Sequence, residues 1–145
     1  MIRTIRPDDA PAIKEICESA LGHLASKEMI MKRISDISGD SHYYISVYED
    51  DDKTVKGFLH AEKYDLLYGG NGWNIIALAV LPDVQKQGIG KQLLSSLEEY
   101  SKHCNGDFIR LNTRIERADA HLFYEHLGYT CDKVQKRFIK KPGTE

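Results

Sequence analysis

A short glycine-containing segment follows an apolar stretch of the chain and has the composition of an anion-binding loop. The apolar stretch extends from Ile75 to Leu81, and after Pro82-Asp83-Val84 the loop contains Gln85, Lys86, Gln87, Gly88, Ile89, Gly90 and Lys91. Glycines without side chains allow several backbone N–H groups to converge at the start of a helix, where the helix dipole favours an anion. Lys86 and Lys91 add positive charge beside these amides. The pattern therefore indicates a site for a phosphate or pyrophosphate group.

Two common phosphate-binding motifs do not fit this loop. The Walker A motif requires Gly at position 85 and Ser or Thr at position 92, and the chain has Gln at both. The dinucleotide-binding motif requires a small residue at position 93, which is Leu. The first mismatch disfavours a small nucleotide-dependent kinase. A tight strand-to-helix turn remains a purely structural explanation for the two glycines.

His60 and Glu62 are candidate proton acceptors. They alternate with Phe58 in a segment rich in β-branched and aromatic residues, so a strand places all three side chains on one face. An imidazole or carboxylate in such a position can remove a proton from an amine directly or through water. A surface or structural role is the alternative for both residues.

The elements that must position these residues follow from hydrophobic periodicity. Strands are predicted over residues 2–6, 43–48, 55–64, 73–81 and 108–113, with one or two more within 129–140. Helices are predicted after Pro7, over residues 29–37, from Ile89 to about Asn105, and over 120–127. The apolar run 75–81 is typical of a strand buried on both faces. We predict an α/β (mixed α+β) fold with a central mixed, twisted sheet of six to seven strands and about four helices.

Composition limits the function further. The 145 residues, 41% of them hydrophobic, predict one domain over residues 1–145. Twenty basic and 22 acidic residues give a net charge of -2, which disfavours nucleic acid as a partner. The absence of a long apolar run disfavours a membrane, and no secretion signal is recognisable, so we expect a cytoplasmic protein. Three separated cysteines and an acidic turn at residues 49–52 lack metal-ligand spacing, so no metal is expected.

Two motifs resemble the GNAT superfamily of N-acetyltransferases. The spacing Gln85-x-x-Gly88-x-Gly90 is similar to the acyl-coenzyme A loop of that superfamily, Arg/Gln-x-x-Gly-x-Gly/Ala, and residues 123–129 resemble its second signature. The order of predicted elements also matches. The sequence from Arg117 to Tyr124 is most similar to the branch that includes aminoalkylphosphonate and aminoglycoside acetyltransferases. The resemblance covers essentially the whole chain and implies a GNAT-like domain whose parallel strands splay at the coenzyme site.

The resemblance implies roles for individual residues, with acetyl-CoA as cosubstrate. The exposed backbone of Leu78, Ala79 and Val80 pairs with the pantetheine arm, and an N–H near Val80 stabilises the oxyanion. The loop amides from Gln85 to Lys91 receive the pyrophosphate, and Asn112 is a further candidate contact. Tyr124 corresponds to the general acid that protonates the leaving thiolate, although core packing with Phe123 is the alternative. The amine attacks directly, without a metal or a covalent enzyme intermediate.

The base and the acceptor are less well defined. Many relatives carry a Glu on the strand before the loop, whereas this chain has Ile75, Ile76 and Ala77 there. His60 and Glu62 are the substitutes, unless the amine loses its proton to solvent before binding. We expect the acceptor to be the primary amine of a small molecule. A protein N-terminus or Lys, and a non-catalytic acyl-CoA sensor, are the alternatives. The resemblance is compatible with a homodimer.

Overall fold

The structure is a computed structural model that describes residues 1–143. The chain divides into two compact units, Met1–Asn112 and Thr113–Glu145. Among the described residues, the first unit contains the sheet and three α-helices, and the second contains one α-helix. In the described residues no helix is both long enough and apolar enough to cross a membrane.

The sheet of the first unit has five strands. They are β1 (Ile2–Thr4), β2 (Tyr43–Glu49), β3 (Val55–Lys63), β4 (Gly72–Val80) and β5 (Phe108–Leu111). The strands lie in the order of the sequence, and all neighbours are antiparallel except the parallel pair β4–β5. The predicted mixed sheet with a parallel pair is therefore confirmed.

Helices cover both faces of this sheet. Helix α1 (Ala10–Ile16) continues into a wider turn at Cys17–Leu21, and α2 is Lys27–Ile37. Their apolar sides share one core with β2, β3 and β4, in which Phe58 and Ala79 are buried. Helix α3 (Ile89–His103) buries Leu93, Leu94 and Leu97, and it contacts the same strands. Tyr44 of β2 stacks on Tyr100 of α3, whereas its neighbour Ile45 packs against the first core, so this second core lies on the opposite face.

A buried ionic cluster ties the start of α1 to the sheet. The Arg3 guanidinium donates to both carboxylate oxygens of Asp9, at 2.8 and 2.9 Å, and to Glu49 at 2.9 Å. Burial opposes ionisation of Asp9, but hydrogen bonds from Arg3 and from the Arg6 N–H outweigh it and hold the pKa of Asp9 below its usual value. The single guanidinium therefore contacts both carboxylates, and the cluster carries one more negative than positive charge.

The second unit contains helix α4 (Ala118–His126), which ends before Gly128 at φ 91°. The prediction of one or two strands within 129–140 was wrong, because residues 129–143 contain none. The sheet consequently has five strands in the described residues instead of six to seven. A strand needs a pairing edge and a buried face, and the apolar Val134, Phe138 and Ile139 of this segment are exposed. The residue types in this segment were therefore insufficient to predict a strand.

Candidate functional site

The central feature of the site is a free edge on β4. This strand pairs with β3 from Trp73 to Val80, but its parallel pairing with β5 ends at Ile75 opposite Leu111. The Leu81 N–H donates to the Lys56 carbonyl oxygen on the β3 side, at 2.9 Å. Because backbone groups alternate in direction along a strand, those of Leu78 and Val80 face away from β3. Beyond Ile75 the pairing of the two parallel strands thus ends, as the predicted splay requires.

The alternation also distinguishes the three residues predicted to contact the pantetheine arm. Leu78 and Val80 direct their backbone groups to the free edge. Ala79 pairs with Phe58 on β3, and its side chain belongs to the buried core. The two N–H groups at the free edge are therefore those of Leu78 and Val80.

A β-bulge at Ile76 reorients β4 where the free edge begins. His60 of β3 pairs with Ala77 and Ala61 pairs with Ile75, which leaves Ile76 without a partner on that strand. Before the bulge Trp73 packs near Tyr100 of α3, and after it Ala79 packs in the core on the opposite face. The Ile76 side chain is 48% exposed, so the prediction of a strand buried on both faces was wrong at this position.

The loop after β4 presents a series of unpaired amides. Pro82–Val84 forms one turn of 3-10 helix, and Gly88 precedes α3 in the left-handed conformation, at φ 84°. The Gln92 N–H makes the first helical hydrogen bond, to the Gly88 carbonyl at 3.0 Å. In the described part of the chain the N–H groups of residues 86–91 have no hydrogen-bond partner. The helix dipole adds partial positive charge here, so these amides suit an anion.

Two contacts connect this loop to the sheet. The Gln85 side-chain amide donates to the Val80 carbonyl oxygen at 3.1 Å. Gly57 of β3 allows a close approach, because a Cβ there would lie 3.0 Å from the Ala79 carbonyl oxygen and 3.2 Å from the Ile89 side chain. The start of α3 therefore lies directly beside the end of the free edge. Lys86 in this loop and Lys91 in the first turn of α3 are both exposed.

His60 and Glu62 lie on the β3 face that also bears Phe58. The His60 ring is 5.6 Å from the Tyr43 ring, and its Nε2 atom is buried without a hydrogen-bond partner in the described residues. Burial lowers the pKa of His60, and the negative charge of Glu62 offsets part of this effect. His60 is therefore mainly neutral at pH 7.

Glu62 belongs to a polar row that the sequence analysis did not identify. It pairs across the sheet with Asn74 of β4, which pairs in turn with Arg110 of β5. The Asn74 amide donates to Glu62 Oε2 at 2.9 Å, and its Oδ1 accepts from Arg110 at 2.6 Å. Arg110 also donates to Oδ1 of Asn112, at 2.8 Å. The available signal was one polar residue within each of two apolar strands, at Asn74 and Arg110.

Tyr124 lies in α4 of the second unit. Its ring contacts the rings of Phe123 and Tyr129 at centroid distances of 5.1 and 5.8 Å. Burial raises the pKa of Tyr124 to about 12, with Arg117 acting in the opposite direction. The phenol consequently keeps its proton throughout the physiological pH range and remains a hydrogen-bond donor.

No cluster of three or more His, Cys, Asp or Glu side chains suitable for a metal ion is found among residues 1–143. The donor groups that the structure offers a ligand are the amides of the free edge and of the loop. The side chains of His60, Glu62 and Arg110 add ionisable groups on one face of the sheet.

Comparison with known proteins places this geometry in a family. The model of the acetyltransferase (GNAT) family matches residues 5–129. An aminoalkylphosphonate N-acetyltransferase of Salmonella typhimurium is 44% identical over 119 residues, which are 81% of this chain and 73% of that protein. An uncharacterised N-acetyltransferase of Methanocaldococcus jannaschii is 36% identical over 72 residues, or 49% of this chain and 46% of that protein.

Solved structures share the fold at lower sequence identity. A transcriptional regulator from Bacillus halodurans has a TM-score of 0.86 at 22% identity, covering 97% of this chain and 99% of that chain. An aminoglycoside 6'-N-acetyltransferase from Acinetobacter baumannii has a TM-score of 0.82 at 14% identity, covering 99% of both chains. Together with the match over residues 5–129, these similarities lead to one conclusion: this chain belongs to the GNAT acetyltransferase family.

Proposed function

We propose that this chain transfers the acetyl group of acetyl-CoA to the primary amine of a small molecule. Family membership makes it an acetyl-CoA-dependent N-acetyltransferase. The observation that carries the proposal is the free edge of β4, which leads into a loop with unpartnered amides at residues 86–91. The free edge suits the amide groups of a pantetheine arm, and the loop suits a pyrophosphate. We propose that residues 1–145 together form one acetyltransferase domain, since the family match extends over both units.

The backbone of β4 is proposed to stabilise the transition state. Attack of the amine nitrogen on the thioester carbon forms a C–N bond and moves negative charge onto the carbonyl oxygen. An N–H of Leu78 or Val80 at the free edge can donate to that oxyanion. The C–S bond then breaks and releases the thiolate.

His60 is our proposed base, acting directly or through one water molecule. A neutral imidazole is required to accept a proton from the amine, and burial keeps His60 neutral at pH 7. Its buried Nε2 atom also has an unused hydrogen-bonding capacity. Glu62 is already engaged by Asn74, so we assign it a positioning role.

Tyr124 is our proposed acid. Its phenol, with a pKa of about 12, retains the proton until negative charge develops on the departing sulfur. The hydrogen bond to the thiolate then strengthens as the C–S bond breaks. Asn112 remains a proposed ligand contact, with its amide nitrogen available because Arg110 binds only its oxygen.

The relative from Salmonella typhimurium acts, by its name, on aminoalkylphosphonates. This supports a small-molecule acceptor for the present chain over a protein N-terminus or Lys. The first experiment measures thermal unfolding with and without acetyl-CoA. A ligand at 100 times its Kd stabilises the folded protein by about 2.7 kcal/mol. Absence of any shift at millimolar acetyl-CoA would overturn the proposal.

A second experiment tests catalysis. A panel of small primary amines is assayed for acceptor-dependent release of free CoA thiol. We expect release with at least one amine and loss of that release in Tyr124→Phe. Stabilisation by acetyl-CoA without release on any amine or peptide would favour the non-catalytic sensor instead.

A further inference from the structure

The polar row across β3, β4 and β5 contains an arginine without a counter-charge. Arg110 directs its guanidinium to Oδ1 of Asn74 and Oδ1 of Asn112, both neutral acceptors. The Tyr64 ring lies against it, with Cζ 4.8 Å from the ring centroid. No carboxylate of the described residues lies within 4.0 Å of this guanidinium.

Arg3 of the same unit differs from Arg110 because its charge is paired with carboxylates. Its guanidinium contacts the carboxylates of Asp9 and Glu49 at 2.8 Å each. Arg110 is held by two amide oxygens and a ring, which fix the plane of its guanidinium and leave its charge uncompensated. A guanidinium has five N–H donors, and these bonds occupy two of them. The remaining donors can bind a planar carboxylate or a phosphonate in a bidentate manner.

The other end of the row carries the opposite charge. Glu62, Asn74 and Arg110 are directly opposite one another on three adjacent strands, so the outer two are about 10 Å apart at the backbone. His60, the proposed base, lies two residues from Glu62 on the same strand and face. The row thus has a carboxylate near the base and a cation two strands away. This charge separation is complementary to a small zwitterion that carries an ammonium and an acidic group.

The position of Arg110 argues against a role in binding the coenzyme pyrophosphate. Its partner Asn74 lies six residues before Val80 along β4, or about 20 Å at the rise of an extended strand. The loop amides lie beyond Val80. Asn74 is instead one residue before the last β4–β5 pair, Ile75–Leu111, where the free edge begins. Arg110 is therefore near the divergence of the strands and far from the phosphate loop.

We propose that Arg110 determines acceptor specificity by binding the acidic group, a phosphonate or carboxylate, of an amine whose nitrogen is acetylated. The inference rests on the proposed function and adds a specificity residue to it. Glu62 orients the ammonium end before His60 takes the proton. The acceptor class is then small aminoalkyl acids, and amines that lack an acidic group are poor acceptors.

The test compares matched acceptors at saturating acetyl-CoA. The acceptors are 2-aminoethylphosphonate, β-alanine and ethylamine, which share an aminoethyl portion and differ in charge. For wild type we expect kcat/KM to be at least about tenfold higher with one of the two acids than with ethylamine. In Arg110→Gln we expect kcat/KM for the preferred acid to fall by about 10- to 100-fold, mainly through KM, with ethylamine changed less than about twofold. Lys102→Gln on α3 removes one exposed charge and serves as the control.

Other outcomes overturn the inference separately from the proposed function. Equal losses in Arg110→Gln for acceptors with and without an acidic group would show that Arg110 only ties the strands together. Wild-type activity that does not distinguish ethylamine from the acids would also refute the assignment, while leaving acetyl transfer intact. No thiol release with any amine would instead refute the proposed catalytic function. If Arg110→Gln fails to fold, Arg110→Lys is compared with wild type on the same acceptors. The bidentate contact would be refuted if Arg110→Lys kept the full wild-type preference for the acid over ethylamine, with an unchanged KM for the acid.

Discussion

Gly88→Ala tests the conformation of the loop that we assign to the coenzyme phosphates. Gly88 has φ 84°, and a Cβ at this position would have no atom within 4 Å, so the substitution adds backbone strain without a clash. An alanine in the left-handed region is disfavoured by about 1–2 kcal/mol, and the stiffer unfolded chain offsets about 0.4–1 kcal/mol of this. The bound, folded state should therefore lose about 1 kcal/mol relative to the unfolded protein and free ligand.

This loss is divided between two measurements. Urea unfolding of the free protein reports the strain already present without ligand, and titration with acetyl-CoA reports the strain added on binding. The loop is exposed and is free to relax in the unliganded protein, so we expect most of the loss in binding, as an approximately fivefold increase in Kd.

Gly39→Ala is the matched control. Gly39 follows α2 at φ 80° and also has open space around its Cβ position, so its substitution carries the same backbone penalty. We expect its whole loss of about 1 kcal/mol in unfolding, with Kd for acetyl-CoA unchanged. If the summed loss for Gly88→Ala is near zero while Gly39→Ala shows its full loss, the bound loop does not use a left-handed Gly88 and the reasoning is refuted.

Three further predictions concern the acid, the base and the ionic cluster. Tyr124→Phe should lower kcat by about 100-fold or more with acetyl-CoA affinity retained, whereas Tyr68→Phe at an exposed position should leave kcat unchanged; equal kcat values would remove Tyr124 from the mechanism. Because burial lowers the pKa of His60 from its ordinary value, kcat/KM should be constant near pH 7 and fall as pH decreases through that lowered pKa; persistence of this acidic limb in His60→Gln would assign it to another group. The Asp9 carboxylate, with its lowered pKa, should stabilise the fold above about pH 4 and lose this contribution as pH falls through its folded-state pKa. Asp9→Asn should destabilise the protein at pH 7 by about 3–5 kcal/mol and flatten the acid limb of stability in urea titrations, and an unchanged limb would exclude Asp9 as its source.

Local sequence patterns predicted most of the fold. Apolar residues recur with a period of two in the segments of β2 and β3, and every three to four residues in the segment of α3. The apolar side of each segment packs against a large apolar neighbour. The segment 129–140 carries similar residue types but contains no strand, because residue type alone supplies neither a pairing edge nor burial. Ile76 was misjudged for a related reason. Whether one residue of a strand bulges depends on the register of its neighbour, which no local pattern encodes.

The loop that we propose to bind phosphate could be recognised from sequence alone, since Gln85, Gly88 and Gly90 are close in the chain and the exposure of its amides depends on local backbone geometry. The proposed role of Tyr124 as the acid likewise came from its motif, through the resemblance to the GNAT superfamily. Only the tertiary structure decided which backbone groups of β4 are free, because that depends on where β5 stops pairing. It also decided the row of Glu62, Asn74 and Arg110, whose members come from three strands. Strand register brings distant residues into contact through pairing and burial across the whole sheet, and one shifted residue would place Arg110 on the other face.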